Sequence, residues 1–251
     1  ASLRRRKTSV KSASPRCIVS SSAGSVKSVF ASRYLKLAPG AVTTSSEDFS
    51  SVDRNATKWG TQDFVFQRGI RSPAQVTQEG GHLYYSNDGN ATGEDWTLTA
   101  WHPQALPYNQ DWAAQVDVNL PNLNLVLDNT EAGLGMVVIN QGDGDDSVSM
   151  ELVVENYGNV AENYPKATRS VDVEFETNGN GIYSSQDTNS TSGTLRIRWA
   201  ASEKKLYMEY DADGSANGWS WALVSSQSVD SLASNWGMNA NSSFMVAIYG
   251  F

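Results

Sequence analysis

Residues 193–224 of this 251-residue chain read GTLRIRWAASEKKLYMEYDADGSANGWSWALV. Apolar and polar side chains alternate in three short runs, and turn-forming residues separate the runs. A two-residue period is that of a β-strand, in which successive side chains point to opposite faces. The apolar residues that share one face of each run are Leu195, Ile197 and Trp199; Leu206, Met208 and Tyr210; and Trp219, Trp221 and Leu223. The stretch therefore predicts three consecutive antiparallel strands in a sheet with one buried and one solvent-exposed face.

The same kind of pattern recurs through the rest of the chain from residue 47. Eleven strands are expected, at 63–67, 81–86, 96–101, 112–120, 133–140, 147–155, 171–176, 193–199, 204–210, 219–224 and 243–250. Clusters of Gly, Asn, Asp and Ser lie between them, as is typical of turns. A short helix is expected only at 229–236, VDSLASNW. Many short strands without the spacing of β-α-β units indicate an all-β fold, which is a sandwich, a jelly roll or a barrel.

The composition excludes some classes of protein and is compatible with others. Hydrophobic residues make up 39% of the chain, which is enough for a sizeable core. No apolar run approaches the ~20 residues that cross a bilayer, so no membrane span is expected. The single cysteine, Cys17, cannot form an internal disulfide, which excludes a disulfide-stapled scaffold. A secreted or cell-surface domain with a large core is compatible with this composition.

Charge is distributed unevenly along the chain. Residues 1–46 contain nine of the 19 Lys and Arg residues and none of the 27 Asp and Glu residues. Residues 47–251 therefore carry a formal net charge of −17, compared with −8 for the whole chain. A region with this much negative charge repels a phosphate backbone, so nucleic acid is not an expected partner.

The basic, Ser-rich segment 1–46 has three open interpretations. It is a linker or tail of a larger protein, an Arg- and Ser-rich presequence, or, at 26–37, a strand or helix added to the body. We take the domain boundary between residues 46 and 47, with the tail, linker or presequence before it and one β-sandwich domain at 47–251.

Several motifs of this domain resemble the concanavalin A-like lectin/glucanase family. They are the acidic-Phe entry EDFSSVDRNATKW (47–59), the central hairpin formed by GLGMVVIN (133–140) and SMELVVEN (149–156), the late strands LRIRW (195–199) and KKLYMEYDADG (204–214), and the closing strand FMVAIYGF (244–251). The resemblance implies an antiparallel β-sandwich of the jelly-roll type and a polysaccharide or glycan partner. The fold hosts lectins, glycosidases, polysaccharide lyases and structural modules, so it does not by itself imply an activity.

SVDVEFET, residues 170–177, carries the acidic residues that suggest catalysis. Asp172, Glu174 and Glu176 lie at i, i+2 and i+4, so they project from one face of a strand. Retaining glycosidases use two carboxylates about 5 Å apart, and the resemblance implies an E-x-D-x-E arrangement of acids on one strand. Ser170 stands where that pattern has its first Glu, and Glu174 matches the acid/base. The alternative is an ordinary half-exposed strand whose apolar residues face the core and whose acids face water.

Two loops offer oxygen ligands that suit calcium. GDGDD (142–146) places Asp143, Asp145 and Asp146 on one flexible turn. DADGSANG (211–218) has a similar composition but departs from the EF-hand pattern. Both loops also suit hairpin turns without a metal. Calcium held by the three aspartates of the first loop is the cofactor prediction.

Sugar binding requires an exposed aromatic ring beside Asn, Asp or Gln side chains. Trp101 lies five residues after Trp96, so the two rings face opposite sides of one strand and one of them faces outwards. Tyr157, Tyr164 and Tyr183 lie in polar, turn-like sequence. Each ring alone also suits the core or the edge of a sheet. Together, Trp101 and the three tyrosines are the predicted sugar-binding residues.

No further catalytic motif is present in the sequence. The two histidines, His82 and His102, are too few for a zinc site, and there is no G-x-S-x-G elbow, phosphate loop or dinucleotide fingerprint. We therefore expect a secreted or cell-surface domain that binds a glycan or mediates adhesion without catalysis. A glycosidase or polysaccharide lyase that uses Asp172, Glu174 and Glu176 is the first alternative, and a purely structural surface domain is the second.

Overall fold

The computed structural model describes residues 26–30, 49, 51, 53–60, 63–70, 75–79, 82–87, 92–100, 105–121, 130–156 and 168–251. Antiparallel strands dominate these residues and form two large sheets, which confirms the expected all-β sandwich. Each of the eleven expected strands overlaps a strand of the structure.

The two sheets pair strands that are distant from one another in the sequence. In spatial order, the first sheet contains β14 (Ala222–Ser228), β13 (Lys205–Asp211), β12 (Ser192–Ala200), β7 (Trp112–Asn119), β1 (Val26–Phe30), β4 (His82–Asn87) and β3 (Gln75–Glu79). The second sheet contains β11 (Asn180–Asp187), β10 (Thr168–Thr177), β9 (Ser147–Asn156), β8 (Thr130–Asn140), β17 (Ser243–Gly250), β5 (Thr92–Ala100) and β2 (Phe64–Ile70), and β6 (Leu106–Pro107) pairs with β17. Both sheets therefore combine strands from the beginning, middle and end of the domain.

Two further elements are short. The helix α1 (Ala56–Trp59) begins after Asn55, whose side-chain oxygen accepts a hydrogen bond from the backbone N–H of Lys58. A two-stranded hairpin is formed by β15 (Asp230–Ser231) and β16 (Ser234–Asn235). Among the described residues, no helix is long and apolar enough to cross a membrane.

The core lies between the two sheets. The apolar faces of β12 and β13 are buried in it, as their alternation predicts. Phe244 of β17 contributes from the second sheet, and its ring centroid lies 5.1 Å from those of both Trp112 and Trp199 in the first. Aromatic side chains from the two sheets therefore interdigitate at the centre of the sandwich.

The apolar face of WSWAL points outwards, which the alternation alone does not reveal. Met208 pairs with Ser225 but Glu209 pairs with Leu223, so Val224 is an extra residue that forms a β-bulge in β14. A bulge reverses the phase of the alternation along a strand. Leu223 is consequently 56% exposed instead of continuing the buried face. Trp219 lies before the start of β14 and is 42% exposed.

The prediction of a helix at 229–236 is wrong. This stretch forms the β15–β16 hairpin, in which the backbone N–H of Trp236 donates to the carbonyl of Val229 at 3.0 Å. The side chains of Ser231 and Ser234 hydrogen-bond to each other across the hairpin, and Ser234 also donates to the carbonyl of Ser228. Serine side chains that bond locally compete with helix formation. Val229 and Trp236 are buried at the base of the hairpin.

Four segments outside the eleven expected strands belong to the sheets, and two of them are the short strands β3 and β6. Residues 26–30, inside the segment 1–46, form β1 and pair with β4, which agrees with the alternative interpretation of 26–37. Residues 180–187, inside a stretch that the sequence marks as a long turn, form β11 at the edge of the second sheet. The turn itself is confined to Asn178 and Gly179, which both have positive φ, as a tight hairpin turn requires.

Candidate functional site

The three predicted catalytic acids lie on the outer face of the second sheet. Asp172, Glu174 and Glu176 alternate along β10 with core residues, of which Val173 and Phe175 are almost completely buried. The predicted side-chain orientation is therefore confirmed. Outward-facing acids occur both on a catalytic strand and on an ordinary half-exposed strand. The residues that surround the acids therefore have to distinguish the two.

Asp172 has a second acid directly opposite it. It pairs with Glu151 of β9 on one side and with Ser185 of β11 on the other. Directly opposite residues of antiparallel strands have Cβ atoms about 4.5–5.5 Å apart, so the two carboxyl groups share one patch of surface. The hydroxyl of Ser185 donates to Oδ1 of Asp172 at 2.6 Å.

Glu151 is the most perturbed acid of this face. Burial raises the pKa of Glu151 well above its ordinary value of 4.5, and the charges of Asp172, Glu131 and Glu174 raise it further. The hydroxyl of Tyr249 donates to Oε2 of Glu151 at 2.6 Å, which acts in the opposite direction but does not outweigh burial. A carboxyl group with a raised pKa thus lies beside the carboxyl groups of β10.

A glycine allows Tyr249 to reach Glu151. Tyr249 of β17 and Glu151 of β9 lie on either side of β8, where Gly135 pairs with both. A Cβ atom at Gly135 would lie 2.7 Å from the Tyr249 ring and 2.6 Å from the carbonyl of Met150. The tyrosine ring therefore crosses β8 over a position that has no side chain.

Tyr183 is an exposed ring beside these acids. It lies on β11 directly opposite Glu174, and 57% of its surface is accessible. Partial burial of its hydroxyl and a hydrogen bond to Glu174 raise the pKa of Tyr183. The third acid of β10, Glu176, accepts a hydrogen bond from the Ser147 hydroxyl at 3.1 Å. We use the name acid–tyrosine face for Glu151, Asp172, Glu174, Tyr183 and Tyr249.

The acid–tyrosine face joins two separate sequence predictions. Tyr183 is a predicted sugar-binding residue, and Asp172 and Glu174 are predicted alternative catalytic residues. The other three predicted sugar-binding residues, Trp101, Tyr157 and Tyr164, lie outside the described residues.

Sequence reasoning missed two residues of this face, Glu151 and Tyr249. The local signal for Glu151 is a lone acid inside the apolar run SMELVV, which is uncommon in a strand with a buried face.

The aspartates of the predicted calcium loop form a hydrogen-bonded turn. Asp146 is buried, and its two carboxylate oxygens accept hydrogen bonds from the side chain of Asn140 and the backbone N–H of Asn178. Oδ1 of Asp143 accepts from the backbone N–H of Asp145 at 3.1 Å. Within the part of the chain that the structure describes, no group of three or more His, Cys, Asp or Glu side chains is arranged to hold a metal ion. Calcium binding by this loop stays a prediction.

Comparisons with known proteins give little further information. No protein-family model matches the chain. No curated protein matches it either. Among solved structures, a functionally unknown protein from Saccharomyces cerevisiae is similar with a TM-score of 0.46 and 14% sequence identity, over 76% of this chain and 86% of the yeast chain. The geometry of the chain's own residues therefore carries the functional argument.

Proposed function

We propose that this domain binds a glycan on the acid–tyrosine face. The observation that carries the proposal is the exposed ring of Tyr183 directly opposite Glu174 and next to Asp172. The face of a sugar ring that consists of C–H bonds packs against an aromatic ring, and sugar hydroxyl groups donate hydrogen bonds to carboxylates. One outer sheet face supplies both kinds of contact.

The charge of the molecule favours a neutral glycan as the ligand. Residues 47–251 carry a formal net charge of −17, which repels polyanions including nucleic acid. A secreted or cell-surface location belongs to the same proposal. The proposal also includes the concanavalin A-like jelly-roll fold, because the sequence motifs resemble those of that family.

A glycan-array screen of the full chain, with and without calcium, is the first test. Isothermal titration with a glycan identified by the array then compares the wild type with Tyr183→Ala. We expect roughly tenfold weaker binding for the variant, which corresponds to a loss of about 1.4 kcal/mol. Ile182→Ala is the matched control, because Ile182 is exposed on the same strand but pairs with the core residue Phe175. Equal affinities of wild type and Tyr183→Ala would contradict the proposal, and no binding at all would favour a structural module.

Glu151 favours a second candidate function, glycoside hydrolysis or polysaccharide cleavage by a lyase. Glycosidases need a protonated acid beside an ionised carboxylate, and the raised pKa of Glu151, opposite Asp172, makes Glu151 the candidate for the first of these. In this proposal Glu151 donates the proton, and Asp172 or Glu174 acts as nucleophile or base.

The release of new reducing ends from bound polysaccharides tests this second candidate. Both Glu151→Gln and Glu174→Gln are expected to abolish the release. Glu203→Gln serves as the control, because Glu203 is an exposed acid in the turn before β13 of the other sheet and bonds to Tyr207. Unchanged cleavage by Glu151→Gln and Glu174→Gln would exclude catalysis at the acid–tyrosine face.

A further inference from the structure

The outer face of the first sheet carries a stack of two tryptophans that the proposed function does not use. The rings of Trp219 and Trp221 are nearly parallel, with an angle of 11° and centroids 4.9 Å apart. The guanidinium carbon of Arg196 lies 3.7 Å from the centroid of the Trp221 ring. Two groups this close to one ring occupy its opposite faces, so the order of the stack is Arg196, Trp221, Trp219. Trp219 forms the outer end and is 42% exposed.

Hydrogen bonds to a buried carboxylate anchor the loop that carries Trp219. The buried carboxylate of Asp211, at the end of β13, accepts hydrogen bonds from the backbone N–H groups of Asp213 and Ser220, at 3.1 and 2.6 Å. These two bonds close the loop at its base. Gly214 and Gly218 have positive φ, as the tight path of this loop requires. The exposed indole is therefore presented by an anchored loop and a stacked partner, which reduces the entropy that a ligand must remove on binding.

Polar groups that suit sugar hydroxyls lie on the same loop. The amide of Asn217 donates to Oδ2 of Asp213 at 3.0 Å, and both residues are exposed. The amide oxygen accepts hydrogen bonds and the carboxylate has further acceptor sites, so the pair offers contacts to neighbouring hydroxyl groups. The loop thus carries an exposed ring, an amide and a carboxylate, which is the combination of groups that sugar recognition uses.

The charges around the stack favour a neutral ligand. Arg196 forms an ion pair with Glu209 at 2.7 Å, and Arg198 contacts the same carboxylate at 3.4 Å. The exposed carboxylate of Asp213 lies on the loop itself, and the chain as a whole is acidic. A polyanion would therefore meet an unfavourable field, whereas a neutral pyranose ring would not.

We propose that Trp219 is the platform of a second binding site, which stacks a pyranose ring of a neutral glycan on the outer face of the first sheet. This site uses residues of the other sheet, so it is independent of the acid–tyrosine face. Because the outer faces of the two sheets point in opposite directions, a domain with both sites would bind two separate glycan chains.

Isothermal titration of the full chain with neutral hexasaccharides of glucose, mannose and xylose tests the proposal, because its signal does not depend on Trp219. We expect a saturable change with at least one of the three sugars. Trp219→Ala is expected to weaken this binding about tenfold or more, whereas Trp219→Tyr, which keeps a ring, retains most of it. Leu223→Ala is the matched control, because Leu223 is exposed on the same sheet face.

Tyr183→Ala in the same titration separates the two sites. A loss caused by Trp219→Ala but not by Tyr183→Ala supports the second site even if the acid–tyrosine face binds no sugar. Wild-type affinity in Trp219→Ala, or no saturable change with any of the three sugars, would overturn the proposal. Tighter binding of oligogalacturonate or of a single-stranded oligonucleotide than of every neutral sugar would also overturn it.

Discussion

Between Glu151 and Tyr249 lies Gly135 of β8, and the absence of a side chain there brings the two residues together. The tyrosine ring crosses the glycine and its hydroxyl reaches the carboxyl group. The result is a desolvated acid on a sheet face that also carries Asp172 and Glu174. At the scale of single residues, the chemistry of this face depends on one glycine as much as on its acids.

Glu151→Gln tests whether this acid holds its proton in the folded state. Because the folded pKa is raised, the contribution of Glu151 to the free energy of unfolding is complete below the unfolded pKa, near 4.5. The contribution is then lost as the pH rises through the folded pKa. Glutamine resembles the protonated acid and does not ionise, so the variant gains stability relative to the wild type as the pH rises. The gain is about 1.4 kcal/mol for each unit of pKa difference.

Urea unfolding of both proteins at a series of pH values from about 4 to 8 measures this difference. Glu203→Gln, at an exposed acid of the other sheet, is the control for the loss of one negative charge. Parallel curves for the wild type and Glu151→Gln would show that Glu151 is not desolvated.

At the scale of elements, two hairpin turns are joined through one aspartate. Asp146 ends the turn between β8 and β9 and accepts from the backbone N–H of Asn178 in the turn between β10 and β11. The backbone N–H of Gly179 donates to the carbonyl of Asp145 and adds a second link. The turn residues of GDGDD therefore have a structural use that does not depend on a metal.

Replacing these aspartates separates the structural use from calcium binding. In the presence of a chelator, Asp146→Ala is expected to lower the free energy of unfolding by about 1–3 kcal/mol. The reason is that Asn178 and Asn140 lose the hydrogen bonds that the Asp146 carboxylate accepts. Asp145→Ala, at an exposed side chain, should change it by less than about 0.5 kcal/mol. Equal losses in the two variants would contradict the structural assignment.

Melting temperatures with and without calcium test the cofactor prediction. Calcium held by Asp143, Asp145 and Asp146 would raise the melting temperature of the wild type, because a ligand that binds only the folded state stabilises it. The rise would be smaller in Asp145→Ala. An unchanged wild-type melting temperature would exclude a calcium site in this loop.

At the scale of the whole molecule, Phe244 connects the two sheets. It is fully buried, and its ring lies within 6.3 Å, centroid to centroid, of Tyr108, Trp112, Trp199 and Trp236. We expect Phe244→Ala to lower the free energy of unfolding by about 3–5 kcal/mol, because it leaves a cavity among rings that cannot collapse easily. Chemical denaturation compares it with Leu232→Ala, which removes a fully exposed side chain and should have little effect. A small loss in Phe244→Ala would mean that the sheets do not depend on this contact.

Local patterns in the sequence predicted the strands and most of their faces. Alternation placed Leu195, Ile197 and Trp199 in the core and Asp172 and Glu174 on the outer face, because a strand exposes successive side chains to opposite sides whatever its neighbours are. This local rule failed where the structure departs from a regular strand. The bulge at Val224 turned Leu223 outwards, and serine side chains turned the expected helix at 229–236 into a hairpin.

By itself, the sequence determined an all-β chain, an acidic body and a row of outward-facing acids on β10. The tertiary structure decided which strands are neighbours, since β17 at the end of the chain lies between β8 and β5, and β7 lies between β12 and β1. Only the position of β17 beside β8 brings Tyr249 to Glu151. Contacts between residues far apart in sequence leave no local pattern, because they arise from the packing of whole sheets and not from the period of any one strand.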